Sequence, residues 1–292
     1  MTYVTSSARR AHASSEFVYR DGGGGADSAA GRSRMTRSEV LEAVRSSVEP
    51  LPWVHAMWEG GSAAFGREDR WSDVDIGLAV DDGRVEDGFA EVERALVALS
   101  PLVRRWTINP PGHAKPQRMY RFRDDGEPLV DLGVFPLSTK PEDRFMERRR
   151  HGAPRVAFDR SGFTDDTVPN VAAWRERLRA RLADLDSRVA FLGAYSVKSA
   201  RRGDFAEAVF FYQSFVLGPL VEVLRIRHDP WRHDFGVRYL QHDLPAPERS
   251  RLFELWTVRD ADDLLVKRDL AEAWFHEEFR ALDVDALPLG RR

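Results

Sequence analysis

Two periodicities divide this chain. Up to about residue 165, short bounded strand runs are interleaved with helical spacing, and beyond it only helical spacing recurs. Val40, Leu41 and Val44 line one face of a helix predicted over Arg37–Val48. Thr36 and Glu39 are placed as its capping box, and Pro50 and Pro52 close it. Trp53–Trp58 predicts a first strand that ends in the turn Gly60-Gly61-Ser62. Val74–Val80 predicts a second, ended by Asp81-Asp82-Gly83. Val85, Phe89, Val92, Leu96 and Leu99 predict a helix over Val85–Leu99. Val103–Ile108 and Arg118–Phe122 predict strands flanking a proline- and glycine-rich loop over 109–116. Leu129–Phe135 predicts a buried strand, and Arg155–Phe158 a short last one.

From near Val168 the pattern is helix after helix: about Val171–Arg201, Phe205–Arg227, Pro247–Asp260 and Asp262–Leu282. Gly203-Asp204 is a helix stop followed by an N-cap. Trp174, Leu178, Leu182, Leu185, Val189 and Leu192 form a packing stripe, and Phe210, Phe211, Phe215, Leu217 and Leu220 read as core. The expected fold class is therefore a mixed-sheet α/β half followed by an all-helical C-terminal domain, over 35–165 and 166–292. Residues 1–34, rich in Ser, Ala, Arg and Gly and without apolar periodicity, are expected to be a disordered tail. Met35 directly precedes the first helix and is the expected physiological start.

Composition changes this picture little. With 292 residues, 42% hydrophobic and 31% charged, the chain has ample material for a core, and its net charge of −3 gives no general drive toward nucleic acid or acidic membranes. No stretch is read as approaching the roughly 18–20 apolar residues of a membrane span. The absence of cysteine excludes disulfides, thiolate metal sites and a cysteine nucleophile, and fits the cytoplasm.

The candidate chemistry lies around the Gly-Gly-Ser turn. Residues two apart on a strand share a face, so Asp73 and Asp75 project together, close to backbone N–H groups able to meet phosphate oxygens. Asp131 stands between Val130 and Leu132 in a buried-looking strand, where an ionised carboxylate requires a partner or a metal. Three carboxylates without cysteine or clustered histidine suit Mg²⁺ or Mn²⁺. Asp-x-Asp by itself also marks solvated turns and the metal–nucleotide-sugar sites of glycosyltransferases. Of the remaining polar groups, His113 and Lys115 read as a solvated loop, and Arg118, Arg121 and Arg123 as an exposed strand face. Arg227 and His233 are spaced like the Arg–His motif of helical HEPN ribonucleases, but Asp229-Pro230 between them breaks the helix, so they read as structural.

Gly60-Gly61-Ser62, with Asp73-Val74-Asp75 beginning eleven residues after the serine and Asp131 on a later strand, resembles the nucleotidyltransferase superfamily that includes DNA polymerase beta. Its general type is similar to the aminoglycoside nucleotidyltransferases. The resemblance covers about residues 53–135. It implies that Gly61 and Ser62 bind the nucleoside triphosphate, that Asp73 and Asp75 hold the metal ions, and that Asp131 joins one metal and helps deprotonate an acceptor hydroxyl. It also suggests Lys198 as a triphosphate contact. The implied reaction transfers a nucleoside monophosphate from an NTP such as ATP to a small-molecule acceptor, an aminoglycoside-like antibiotic first, bound between the two halves. Modification of a protein or tRNA, and nucleotide binding without turnover, stay open as alternatives. One departure stands out: many relatives carry an arginine three residues after the serine, where this chain has Phe65, which leaves Arg67 or Arg70 to supply the phosphate contact.

Overall fold

The structure, a computed structural model, describes residues 15–17 (backbone only), 35–110, 112–113, 115–122 and 128–290. It divides into two compact units, Met1–Val168 and Pro169–Arg292. The expectation of a disordered tail over 1–34 lies outside the described residues except at Ser15–Phe17, which form strand β1.

In the first unit, helix α1 (Arg37–Val48) begins at the predicted capping box: Thr36 accepts from the Glu39 backbone N–H at 3.3 Å, and the Thr36 N–H donates to Glu39 Oε2 at 2.7 Å. There follow β2 (Val54–Glu59), the single-turn α2 (Gly61–Ala64), β3 (Val74–Val80), α3 (Val85–Leu99), β4 (Arg104–Asn109), β5 (Gln117–Arg121), β6 (Val130–Pro136), the short α4 (Arg148–His151) and β7 (Arg155–Asp159). The seven strands form one sheet in the order β1-β4-β5-β6-β3-β2-β7. Among the described residues, only β3 and β6 pair in parallel.

Period-two alternation sorts the two faces of this sheet. Val74, Ile76, Leu78 and Val80 of β3 and Val130, Leu132 and Val134 of β6 pack with Val40, Val44 and Val48 of α1 and Phe89, Val92 and Leu96 of α3. The intervening residues face the other way, where Ala79 and Phe135 join Ala56, Trp58, Met146 and Phe163 in a second, smaller cluster. Trp58 stacks on Phe163 and lies 5.7 Å from Phe135, ring centre to ring centre. It reaches so far across the sheet that a Cβ on Gly77 would sit 2.1 Å from its indole, which is why β3 carries glycine there. The same alternation corrects one expectation. Arg118 and Arg121 are three residues apart and cannot share a face. Arg118 turns to the helix side, bonded to Glu86 at 2.7 Å and stacked over Phe89, rather than forming an exposed basic row. Arg123 lies outside the described residues.

Two polar knots hold the edges of this unit. The largely buried Glu59, at the end of β2, pairs with Arg37 of α1 at 2.6 Å, and Arg37 also donates to the Asp73 carbonyl at 2.8 Å. At the end of β7, the Asp159 carboxylate accepts from the backbone N–H groups of Ser161, Gly162, Phe163 and Thr164 and from two hydroxyls, fixing the turn that places Phe163 under Trp58. Burial alone would raise its pKa; the hydrogen bonds from Thr164 and Ser161 outweigh this and hold it at about 2.

The second unit is helical: α5 (Val171–Ser187), α6 (Gly193–Arg202), α7 (Phe205–Tyr212), α8 (Gly218–His228), the short α9 (Leu240–Asp243), α10 (Ala246–Trp256) and α11 (Ala261–Ala281). Five-residue π turns, Arg188–Leu192 and Gln213–Leu217, join α5 to α6 and α7 to α8. The predicted stripe is present as Leu178, Leu182, Leu185 and Val189 in the core, with Trp174 packed against it. The phenylalanine prediction is corrected. Leu217 and Leu220 are core, but Phe210 is 60% exposed and Phe211 and Phe215 are only half-buried. Arg227 and His233 are not a pair: Arg227 binds Glu278 at 2.6 Å, and His233 binds Glu222 at 2.9 Å. Arg225, fully buried, donates to the carbonyls of Gly236 and Arg238 and pairs with buried Asp243, tying down the segment after α8. The continuous run Phe205–His228 is, by length and composition, apolar enough to cross a membrane, contrary to the sequence expectation. More than half of its apolar window is buried inside the protein, with Ala208, Tyr212, Val216, Leu220 and Leu224 in the core of the unit.

Because the Asp159 carboxyl titrates lower folded than unfolded, its contribution is present above about pH 4 and lost as pH falls toward 2. Asp159→Ala is expected to destabilise the protein at pH 7 by about 1 kcal/mol, after discounting for the carboxylate's partial exposure. Denaturant titration from pH 7 to pH 2 should show that difference shrinking on acidification; a constant difference would contradict the linkage.

Candidate active site

The sheet brings two of the three sequence-predicted acids together. β3 and β6 run parallel in register, with Asp75 opposite Asp131, Gly77 opposite Gly133 and Ala79 opposite Phe135. In-register residues on neighbouring strands project from the same face, about 4.8 Å apart at the backbone. Both carboxylates therefore leave the face away from α1 and α3, at the end of the strands nearest the glycine turn. Asp73 precedes β3 by one residue and is exposed, with its carbonyl held by Arg37. Among the described residues, no three His, Asp or Glu side chains gather closely enough to hold a metal ion. The structure thus places Asp75 and Asp131 side by side and does not close the expected set of three.

The turn packs directly onto Asp75. The Gly60 N–H donates to the Asp75 carbonyl at 2.9 Å, anchoring the end of β2 to β3. Gly61 has φ of +54°, and a Cβ there would lie 1.8 Å from an Asp75 carboxylate oxygen. Both its backbone conformation and this approach demand glycine. Ser62, one residue on, is buried in the first turn of α2, and its Oγ has no hydrogen-bond partner. A buried hydroxyl without a partner is costly and marks a place where an external acceptor is expected. The Ser62 carbonyl accepts from the Arg67 N–H at 2.9 Å, and the Arg67 guanidinium lies over the Phe65 ring, 5.4 Å from its centre. Phe65, where an arginine was expected, therefore serves as a shelf for Arg67. Arg70 stacks instead on exposed Trp71.

Two further residues of the first unit reach this face. Gln117 on β5 donates its amide to both Asp131 oxygens, at 2.6 and 2.7 Å. β5 pairs with β6 so that Gln117 stands opposite Gly133, on the acid-bearing face. Its alternation with Tyr120, which lies in the helix-side core, carried the signal in the sequence. Lys115, expected in a solvated loop, runs its alkyl chain within 3.6 Å of where a Gly133 Cβ would be, and its ammonium sits 5.1 Å from the centre of the Phe145 ring. Phe145 holds a left-handed backbone, φ 60°, unusual for a bulky residue. Lys198 belongs to the helical unit, where its Nζ lies 5.1 Å from the centre of the Tyr195 ring.

Two of the three expected acids stand together, and their donors are of the oxygen type that hard divalent cations take. Adjacent carboxylates of like charge favour a shared cation, and their oxygen chemistry is that of Mg²⁺ and Mn²⁺ sites.

No protein-family model matches the chain, and no curated protein matches it. Among solved structures, it is similar to an aminoglycoside 6-adenyltransferase from Bacillus subtilis, at 15% identity and a TM-score of 0.35, over 86% of this chain and 90% of that one. It is also similar to a nucleotidyltransferase-like protein from Exiguobacterium sibiricum 255-15, at 11% identity and a TM-score of 0.40, over 84% and 75%.

Gly61→Ala is expected to cost about 1–3 kcal/mol through left-handed strain and to push the Asp75 carboxylate aside. Gly66→Ala is the control, since Gly66 shares the positive φ but a Cβ there meets nothing within 4 Å. Denaturant titration should find Gly61→Ala the more destabilised of the two; equal losses would remove the Asp75 contact from the account.

Proposed function

We propose that this chain is a nucleotidyltransferase, moving a nucleoside monophosphate from an NTP, ATP first, onto an acceptor hydroxyl and releasing pyrophosphate. The observation that supports it best is the in-register pair Asp75 and Asp131 beside a glycine turn whose next residue, Ser62, carries an unpartnered buried hydroxyl. The acceptor class proposed is a small molecule such as an aminoglycoside-like antibiotic, on the strength of the sequence motif.

The acceptor oxygen attacks the α-phosphorus, the bond from that phosphorus to the bridging oxygen breaks, and pyrophosphate leaves with the bond electrons. Asp75 and Asp131, with Asp73 two residues before Asp75, would hold Mg²⁺ or Mn²⁺, which supplies charge neutralisation on the phosphate oxygens. Ser62 Oγ donates a hydrogen bond to a phosphate oxygen. Asp131, oriented by Gln117, takes the proton of the acceptor hydroxyl. Arg67, stacked on Phe65, offers a cation next to the same turn.

Incubation with each labelled NTP and Mg²⁺ against an acceptor panel, read as product mass, tests the reading. A product heavier by one nucleoside monophosphate and metal-dependent pyrophosphate release are expected. Asp131→Asn should lower transfer about a hundredfold or more while NTP still binds. Full transfer by Asp131→Asn would remove its role. Unchanged Mg²⁺-dependent NTP binding by Asp73→Asn with Asp75→Asn would remove the metal assignment, and nucleotide binding without pyrophosphate release would make the chain a binder.

A further inference from the structure

We propose that an exposed aromatic and basic ridge on α6 and α7 binds single-stranded nucleic acid. The inference stands on the helical unit alone and does not depend on nucleotidyl transfer.

The ridge is built by the two π turns. Phe191 lies in the first and Phe215 in the second, and the turns meet where Gly193 leaves only 3.2 Å between a would-be Cβ and Val216. Such turns are rare and concentrate at functional sites. Along α6, Tyr195, Lys198 and Arg202 follow at steps of three and four, which is one row along the helix, and Phe191 stands four residues before Tyr195 in the π turn. Phe191 is 75% exposed and Tyr195 42%. From α7, the Phe211 ring packs 5.4 Å from Tyr195 and 5.8 Å from Phe215, and Phe210 stands edge-on to Phe211. Tyr195, Phe210, Phe211 and Phe215 thus form one bank of rings, with Phe211 and Phe215 half-buried and Phe210, Tyr195 and nearby Phe191 exposed; the sequence pattern predicts core at Phe210, Phe211 and Phe215.

The rings give way to cations along the same row. Lys198 lies over Tyr195, and neither Lys198, Arg201 nor Arg202 has a carboxylate partner among the described residues. Over 188–215 there are four cations, with Arg188 held by Asp184, against two carboxylates, Asp204 and Glu207. Glu207 is bonded to Ser199. Flat π faces beside unpaired cations match a ligand that presents bases and phosphates together. A single strand does so; a duplex hides its base faces. The chain's overall charge of −3 makes this basic row a local feature rather than part of a general attraction to polyanions.

Fluorescence anisotropy of the full chain with a labelled oligoadenylate of about twelve nucleotides tests the proposal. Saturable binding that weakens with salt is expected, with the corresponding duplex and inorganic polyphosphate competing poorly. Phe191→Ala with Tyr195→Ala should weaken binding about tenfold or more and leave the salt slope unchanged, whereas Tyr195→Trp, which keeps the π face and the fold, should retain it. Lys198→Ala with Arg202→Ala should reduce the salt slope by about 1.4, near 0.7 for each cation. Equal competition by duplex or polyphosphate, or an affinity indifferent to loss of both rings, would overturn the proposal. So would a failure to bind the strand together with self-association that disappears in the ring variant, since the ridge would then belong to a second copy of this chain.

Discussion

The parallel pairing of β3 with β6 is the constraint on which the first unit depends. A shift of either strand by one residue would turn every side chain to the opposite face. In the register found, Val74, Ile76, Leu78, Val80, Val130, Leu132 and Val134 all enter the helix-side core, and Asp75 and Asp131 emerge together on the other side. The large apolar core thus fixes the position of the two acids without touching them. Their mutual repulsion is opposed by the burial of these apolar strand residues, each contributing about 1.5–3 kcal/mol.

The acid-bearing face is finished by close approaches that permit little variation. Gly77 makes room for Trp58, and Gly61 makes room for Asp75. Glu59 and Arg37 hold the neighbouring strand end to α1, and Arg37 reaches on to the Asp73 carbonyl. Arg155 of β7 also approaches Glu59, at 3.9 Å, so the carboxylate at this strand end stands between two guanidinium groups. The end of β2, the glycine turn and the start of β3 are therefore tied to one another and to α1 before any ligand is considered. The proposed phosphate chemistry, which rests on positioning and electrostatics, would draw on that preorganisation.

The helical unit uses buried charge differently. Arg225 and Asp243 hold an irregular segment against the core, and Glu222 ties Arg181 to His233. Burial by itself opposes ionisation of Glu222, yet the Arg181 and His233 hydrogen bonds carry its pKa down to about 2. His233, whose spacing from Arg227 resembles a catalytic motif, is here a structural partner of Glu222. The exposed rings of α6 and α7 are the reverse case, residues of core type left on the surface.

Although strand β1, the π turns and the short α4 and α9 were not legible in it, the sequence by itself determined the order of the main strands and helices from α1 onward, the capping box at Thr36, the helix stop at Gly203, and the alternation that sets Asp75 and Asp131 among core residues. These are local properties, carried by hydrogen-bonding reach and by periods of 2 and 3.6 residues. Only the tertiary structure decided which strands are neighbours, and hence that Asp131 meets Asp75 and that Gln117 caps it. It also decided that Arg118 turns inward, that Phe65 supports Arg67, and that Phe210 and its neighbours stay outside the core. Periodicity reports that a residue lies on some face of a helix or strand. What covers that face depends on elements distant in sequence, and a local pattern carries no information about them.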